Sequence, residues 1–172
     1  GLLGAAHDSE IIFTSCATEA NSTAILSAVE ALPERKEIIT SVVEHPAILE
    51  VCEHLERRGY TIHRLPVDTQ GRLDLAHYQS LLSDNVALVS VMWANNETGT
   101  VFPVQTMATM AKEKGILFHT DGVQAVGKFP IHLASSDIDM LSFSGHKIHA
   151  PKGVGALYVK RGTRFRPLLR GG

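Results

Sequence analysis

The residues best suited to chemistry in this sequence are a lysine and an aspartate. Lys147 sits in SFSGHKIHAPKGVGALYV, flanked by Ser144, Gly145, His146 and Gly153, where glycine-rich backbone allows a close approach. Asp121 lies in ILFHTDGVQAVGK, at the end of an apolar run. Each taken singly has an ordinary explanation, since aspartate is a preferred helix N-cap and a loop lysine is commonly solvated. Together, a carboxylate at a buried strand end and a lysine in a Ser-Gly-His-Lys turn form the pair that pyridoxal 5'-phosphate requires. The lysine would hold the cofactor as a Schiff base, and the acid would pair with the pyridinium nitrogen. The ring withdraws electrons only while that nitrogen is protonated, a state that a hydrogen-bonded carboxylate favours. The lysine must be partly desolvated, because only a neutral amine attacks a carbonyl or takes a proton from carbon.

Positioning such a pair is the task of the surrounding elements. In EIIFTSCATEANSTAILSAVEAL the run Ile11 to Thr14 predicts a strand, Ser15 to Thr18 a turn, and the spacing of Ala20, Ala24, Ile25, Ala28 and Leu32 a helix. Thr18 followed by Glu19 resembles a helix start. EIITSVV, TIHRLPV, VALVSVMW and ILFHT read as further strands. AILEVCEHLERRG, LDLAHYQSLL and VQTMATMAKEKG read as the helices between them. This alternation predicts an α/β fold, a mostly parallel sheet with helices on both faces. DMLSFS and GALYVKRG are separated only by GHKIHAPKG, too short for a helical crossover, so one antiparallel strand is expected near the C-terminus. In open α/β sheets ligands sit beyond the carboxyl ends of the strands. That rule gathers Ser15 to Thr18, Glu44 and His45, Asn95 and Asn96, Asp121 and Gln124, and Ser144, His146 and Lys147 around one prospective site. The CATEAN turn would offer a phosphate the N–H groups of a helix N-terminus, with Ser144 and His146 nearby as donors.

Several of these residues have plainer readings. His45 before Pro46 is equally suited to capping the next helix, and the asparagines of NNETG turn a chain well without any ligand. His146 and His149 lack a third partner at metal-ligand spacing, so no metal site is assigned. His63, His77, His119 and His132 read as structural or surface residues, and Met92, Met107 and Met110 as core. Cys52 in VCEHLE reads as a small buried apolar residue.

Composition narrows the function class. The 172 residues carry 16 Lys and Arg against 18 Asp and Glu, with no strong basic cluster, which argues against nucleic acid or a membrane surface as the main partner. No apolar run approaches the ~20 residues needed to span a bilayer. The two cysteines show no C-x-x-C spacing, so a reducing cytoplasm is the expected location. GLLGA at one end reads like the tail of a helix and RPLLRGG at the other stops in a turn-like stretch, so the sequence reads as an internal piece of a longer chain.

TSCATEAN, VEHPA, WANNETG, HTDGVQAVGK and SGHKIHAPKGVG, in this order, resemble the large domain of NifS-type cysteine desulfurases. These are pyridoxal-phosphate enzymes of the class-V aminotransferase family, with the fold-type-I architecture. The resemblance covers nearly the whole chain and implies that residues 1–172 are an incomplete cofactor-binding large domain. It implies that Lys147 anchors the cofactor, Asp121 pairs with the ring nitrogen, Gln124 bonds the ring hydroxyl, and His45 stacks on the ring. Asn96 would contact the substrate carboxylate or the ring oxygen, and Ala17, Thr18, Ser144 and His146 would hold the phosphate. The implied substrate is L-cysteine, converted to L-alanine with an enzyme persulfide. Lys147 would take the α-proton, and His45 is a candidate shuttle because imidazoles exchange protons near neutrality. An iron–sulfur scaffold protein as acceptor, a role in nitrogen fixation, an iron–sulfur metal site in the full-length protein and a homodimer are implied in the same way. The sulfur-accepting cysteine, the substrate-carboxylate arginine and a phosphate ligand from the partner subunit would all lie outside these residues. Selenocysteine lyases and other β-eliminating enzymes share the ring-binding residues, so these alternatives stay open, as does a noncatalytic cofactor-binding module. A Rossmann-type nucleotide site is disfavoured, because no G-x-G-x-x-G follows the first strand.

Overall fold

Val86–Ser90 is buried at all of its positions, as a strand must be when helices cover both faces of its sheet. In the computed structural model, which describes residues 1–171, this strand is β4 of seven. The others are β1 (Ile11–Thr14), β2 (Glu37–Ser41), β3 (Thr61–Leu65), β5 (Leu117–Asp121), β6 (Met140–Ser144) and β7 (Gly155–Val159). The helices are α1 (Ala17–Ala31), α2 (Pro46–Glu56), α3 (Leu75–Leu81) and α4 (Val104–Glu113). The sheet order is β1-β7-β6-β5-β4-β2-β3. From β6 through β5, β4 and β2 to β3 every pairing is parallel, whereas β7 runs antiparallel to both β6 and β1. The expected mixed α/β sheet with an antiparallel strand near the C-terminus is therefore the fold observed.

Neighbouring strand residues point to opposite faces and so feed two separate cores. Ile38, Leu88, Met140 and Leu157 pack with Ala24, Ile25 and Ala28 of α1 and Ile48, Cys52 and Leu55 of α2. Ile39, Val89, Leu141 and Tyr158 pack on the other face with Tyr78 of α3 and Val104, Met107 and Ala108 of α4. Cys52 is a buried core residue, as read from its helix.

Local differences from the sequence expectation cluster at the strand ends. The N-cap of α1 is Cys16 rather than Thr18, and Glu19 reaches back to the Ser15 N–H at 2.7 Å and the Ser15 hydroxyl at 2.6 Å. The chain between β6 and β7 contains a 3-10 turn over Gly145–Ile148 that periodicity did not signal. His149 ends that turn in the left-handed region, at φ 67°. The expected close approach around Lys147 occurs at Gly145, where a Cβ would lie 2.9 Å from the Val154 carbonyl oxygen. Gly153 has open space around it but a φ of +87°, so its glycine answers to conformation and not to crowding.

Candidate active site

The ends of β5 and β6, the first turn of α1 and the loops after β2 and β4 enclose one cavity of about 360 Å³. The residues given cofactor-binding or catalytic roles line it: Asp121 and Gln124 after β5, Ser144, His146 and Lys147 after β6, and Ala17 and Thr18 at the start of α1, whereas Ser15, Glu44 and Asn95, gathered by the strand-end rule alone, do not. His45 and Asn96 complete its wall.

Asp121, the last residue of β5, is 6% exposed. Its Oδ1 accepts the Val123 N–H at 3.0 Å, and its Oδ2 accepts Asn21 Nδ2 at 2.8 Å. Burial pushes its carboxyl above the usual aspartate range, while those two hydrogen bonds and the nearby His45 pull the other way. Gln124 uses its Oε1 to accept Lys128 Nζ at 2.6 Å, which leaves its amide NH2 as the group available to the cavity.

Both readings of His45 hold together. It is the N-cap of α2, with Nδ1 accepting the Ala47 N–H at 3.1 Å, and its ring lines the cavity as well. That bond fixes the tautomer: in the neutral ring the proton is on Nε2. Ser144 is buried at the end of β6 with Oγ 2.7 Å from His146 Nδ1, so these two side chains form one polar unit. Lys147, carried on the 3-10 turn, is exposed in this structure, in contrast to the partial desolvation its proposed chemistry requires.

Asn95 and Asn96 divide labour. Asn95 is buried and builds its own loop: Oδ1 accepts the N–H groups of Glu97 and Thr98, each at 2.9 Å, and Nδ2 donates to the Val43 carbonyl at 3.1 Å. Asn96 is exposed to the cavity.

The structure adds one residue that the sequence did not mark and defines the surroundings of two that it did. Asn21 lies one helical turn beyond Ala17 and Thr18, the i+3 and i+4 spacing that could have marked it as facing the same space. Glu44 is a buried acid whose carboxyl burial drives up to about 8, with Asp121 adding to the effect. Beneath the floor runs a polar row across three strands: His119 Nδ1 is 2.9 Å from Ser90 Oγ and Nε2 is 2.8 Å from Ser142 Oγ. Burial pushes the His119 imidazole down to about 3, so the ring is neutral and its role structural, as its sequence context suggested.

The donor set decides whether pyridoxal phosphate fits. Asp121 is a buried carboxylate without an ion-pair partner among the described residues, and a protonated ring nitrogen would supply one. An amine, an amide donor and a helix N-terminus stand on the same cavity wall. The residues present fit the cofactor.

Comparison with known proteins agrees. The family profile for aminotransferase class-V matches residues 1–172. Cysteine desulfurase NifS of Azotobacter vinelandii is 70% identical over 171 residues, an alignment covering 99% of this chain and 42% of that protein. The chain therefore spans less than half the length of this relative. Among solved structures, one described as a NifS-like protein superimposes with a TM-score of 0.91 at 41% identity, covering 95% of this chain and 46% of that one. Another, described as SspA in complex with cysteine, gives a TM-score of 0.93 at 39% identity over 99% of this chain and 50% of that one. On its sequence motifs, its sheet and its full-length profile match, the chain belongs to the class-V aminotransferase family, whose cofactor is pyridoxal phosphate.

Proposed function

We propose that the protein to which these residues belong is a cysteine desulfurase, converting L-cysteine to L-alanine and passing the sulfur to an enzyme thiol as a persulfide. The observation that carries this reading is the convergence of Lys147, Asp121, Gln124, His45 and Asn96 on one cavity that also holds the first turn of α1. Its 70% identity to a NifS desulfurase and its likeness to a protein solved with cysteine support the choice of substrate.

Pyridoxal phosphate, when bound, supplies the electron sink that makes the substrate Cα–H acidic and loosens its Cβ–S bond. Lys147 Nζ would hold the cofactor and, as a neutral amine beside the bound substrate, would be the base for its Cα proton. Asp121 keeps a proton on the ring nitrogen, favoured because two N–H donors already hold its carboxylate. Gln124 would donate its amide N–H to the ring hydroxyl oxygen. His45 would stack on the ring, and with Nδ1 committed to the Ala47 N–H its Nε2 would be the atom free to give or take a proton. Ala17 and Thr18 at the start of α1, with the Ser144–His146 unit, would hold the phosphate. Asn96 would orient the substrate carboxylate or the ring oxygen.

Neither cysteine of the chain suits the sulfur-accepting role. The Cys52 thiol is buried in the core and pushed up to about 12. Cys16 belongs to the phosphate end, where the Glu19 backbone N–H lowers its pKa. In the same reading the accepting thiolate comes from outside residues 1–172, which form the cofactor-binding large domain of a longer chain. The protein would be a homodimer in the cytoplasm, where both cysteines stay free thiols, and would hand its sulfur to an iron–sulfur scaffold protein serving nitrogen fixation.

The test is direct. Full-length protein with L-cysteine should form alanine and protein-bound persulfide in equal amounts. Borohydride treatment of the cofactor-loaded protein should leave a cofactor-derived mass on the peptide containing Lys147. Lys147→Ala should abolish both results; alanine formation that survives this substitution would refute the assignment.

A further inference from the structure

We propose that Asn21 is a positioning residue: its amide fixes the Asp121 carboxylate in the orientation that receives a protonated ring nitrogen, a role that rests on the cavity being a pyridoxal-phosphate site. Asn21 is 1% exposed, lines the cavity, and donates Nδ2 to Asp121 Oδ2 at 2.8 Å. The other carboxylate oxygen takes the Val123 N–H at 3.0 Å. Each oxygen thus receives one N–H and keeps one further lone-pair direction for a ligand. An ionised carboxylate accepts such N–H bonds more strongly than a neutral carboxyl does, so the pair of bonds favours the anion. Of the two, only the bond from Asn21 is made by a side chain.

The amide itself is held one way round. Asn21 Oδ1 is buried and has no hydrogen-bond partner among the described residues. Leaving such an atom unpaired costs free energy, and flipping the amide would set Oδ1 against Asp121 Oδ2, acceptor against acceptor. The amide therefore stays locked for as long as Asp121 is ionised.

Other ionisable groups facing Asp121 act in mixed directions. Glu44 is a second buried acid whose charge opposes that of Asp121, while His45 and Lys147 line the same cavity. Burial of Asp121 opposes ionisation, so the Asn21 bond counts against a real cost. Asn21 also belongs to the turn of α1 that follows Ala17 and Thr18, so one side chain links the phosphate end of the pocket to its ring-nitrogen end.

The experiment uses full-length protein and Asn21→Leu, which keeps the volume and removes the donor. Asn21→Ser, whose short hydroxyl falls short of Asp121, serves if the leucine variant does not fold. Carboxyl carbon-13 NMR of the cofactor-free protein should show Asp121 titrating about one unit or more higher in the variant. Pyridoxal phosphate should bind about tenfold or more weakly, and the pH at which the bound cofactor's absorbance changes should fall. Turnover should lose kcat while KM for cysteine stays close to wild type. A folded variant with wild-type Asp121 titration and wild-type cofactor affinity overturns the role of Asn21. Failure of the wild-type protein to bind the cofactor overturns the site assignment instead, and the NMR titration separates the two results.

Discussion

Met92 and Glu44 are joined by a two-pronged hydrogen bond: the Met92 N–H lies 3.0 Å from each carboxyl oxygen of Glu44. Ser41, the last residue of β2, adds its hydroxyl to Oε1 at 2.5 Å. One buried acid thereby ties the end of β2 to the segment leaving β4, directly behind the cavity wall to which Met92 and His45 belong.

That acid should make stability pH-dependent. With its carboxyl driven up to about 8 by burial, folded Glu44 keeps a proton that the unfolded chain releases above about 4.5. The native state binds more protons across that window, so stability falls as pH rises from about 4.5 to about 8, by up to about 1.4 kcal/mol per pH unit from this group alone. Glu44→Gln keeps a neutral acceptor for the Met92 N–H and removes the titration. Thermal melts at pH 5 and pH 8 should show wild type losing ground to the variant at the higher pH. Parallel curves for the two proteins would rule this out.

His119 should act on the acid side. Its ring is neutral in the fold, with the pKa pushed down to about 3, against about 6.5 in the unfolded chain. The unfolded state binds the extra proton, so this contribution is complete above pH 6.5 and is lost as pH falls toward 3. His119→Phe removes that acid sensitivity but leaves the Ser90 and Ser142 hydroxyls without their ring partner, at about 2 kcal/mol near neutrality. Urea midpoints between pH 4 and pH 7 should change less in the variant than in wild type.

The paired asparagines should separate in mutagenesis. Asn95→Ala strips two backbone N–H groups and one partly buried carbonyl of their partner, so a loss of about 2 kcal/mol is expected, and the loop that carries Asn96 should loosen with it. Asn96→Ala touches only the cavity wall and should leave stability within about 0.5 kcal/mol of wild type while raising KM for cysteine. Equal stability losses in both variants would contradict this division.

What the sequence disclosed follows from the range of the forces involved. Strands such as VALVS announce themselves because burial on both faces demands an unbroken apolar run, and α4 does so because only one of its faces is buried. The strand-end rule then sufficed to gather Asp121, Lys147 and His45, since it depends on topology and not on side-chain detail. The Asn21–Asp121 bond stayed hidden because it joins α1 to β5 across 100 residues, and no local pattern marks it. Glu44 was visible as a strand-end residue, but whether such a carboxylate faces water or a strand's N–H is settled only by packing. Thr18 looked like a cap from composition, yet Cys16 takes that place because the close passage of β7 sets where α1 begins.

That passage yields the last prediction. Gly155 opens β7 between Thr14 of β1 and Ser144 of β6, and a Cβ on it would fall 2.6 Å from the Cys16 carbonyl carbon and 2.8 Å from its Cα. Backbone does not swing aside as a side chain does, so Gly155→Ala must push the first turn of α1 away from the sheet. Overpacking of this kind costs about 1–3 kcal/mol. The displaced turn carries Ala17 and Thr18, so affinity for pyridoxal phosphate should fall by about tenfold, while borohydride should still attach the cofactor to Lys147 at saturating concentration. Gly153→Ala is the control, because at φ +87° with open space around it an added methyl costs only about 1–2 kcal/mol of backbone strain. If cofactor titrations gave the two variants the same affinity, the contact between β7 and α1 would have no part in shaping the phosphate end of the site.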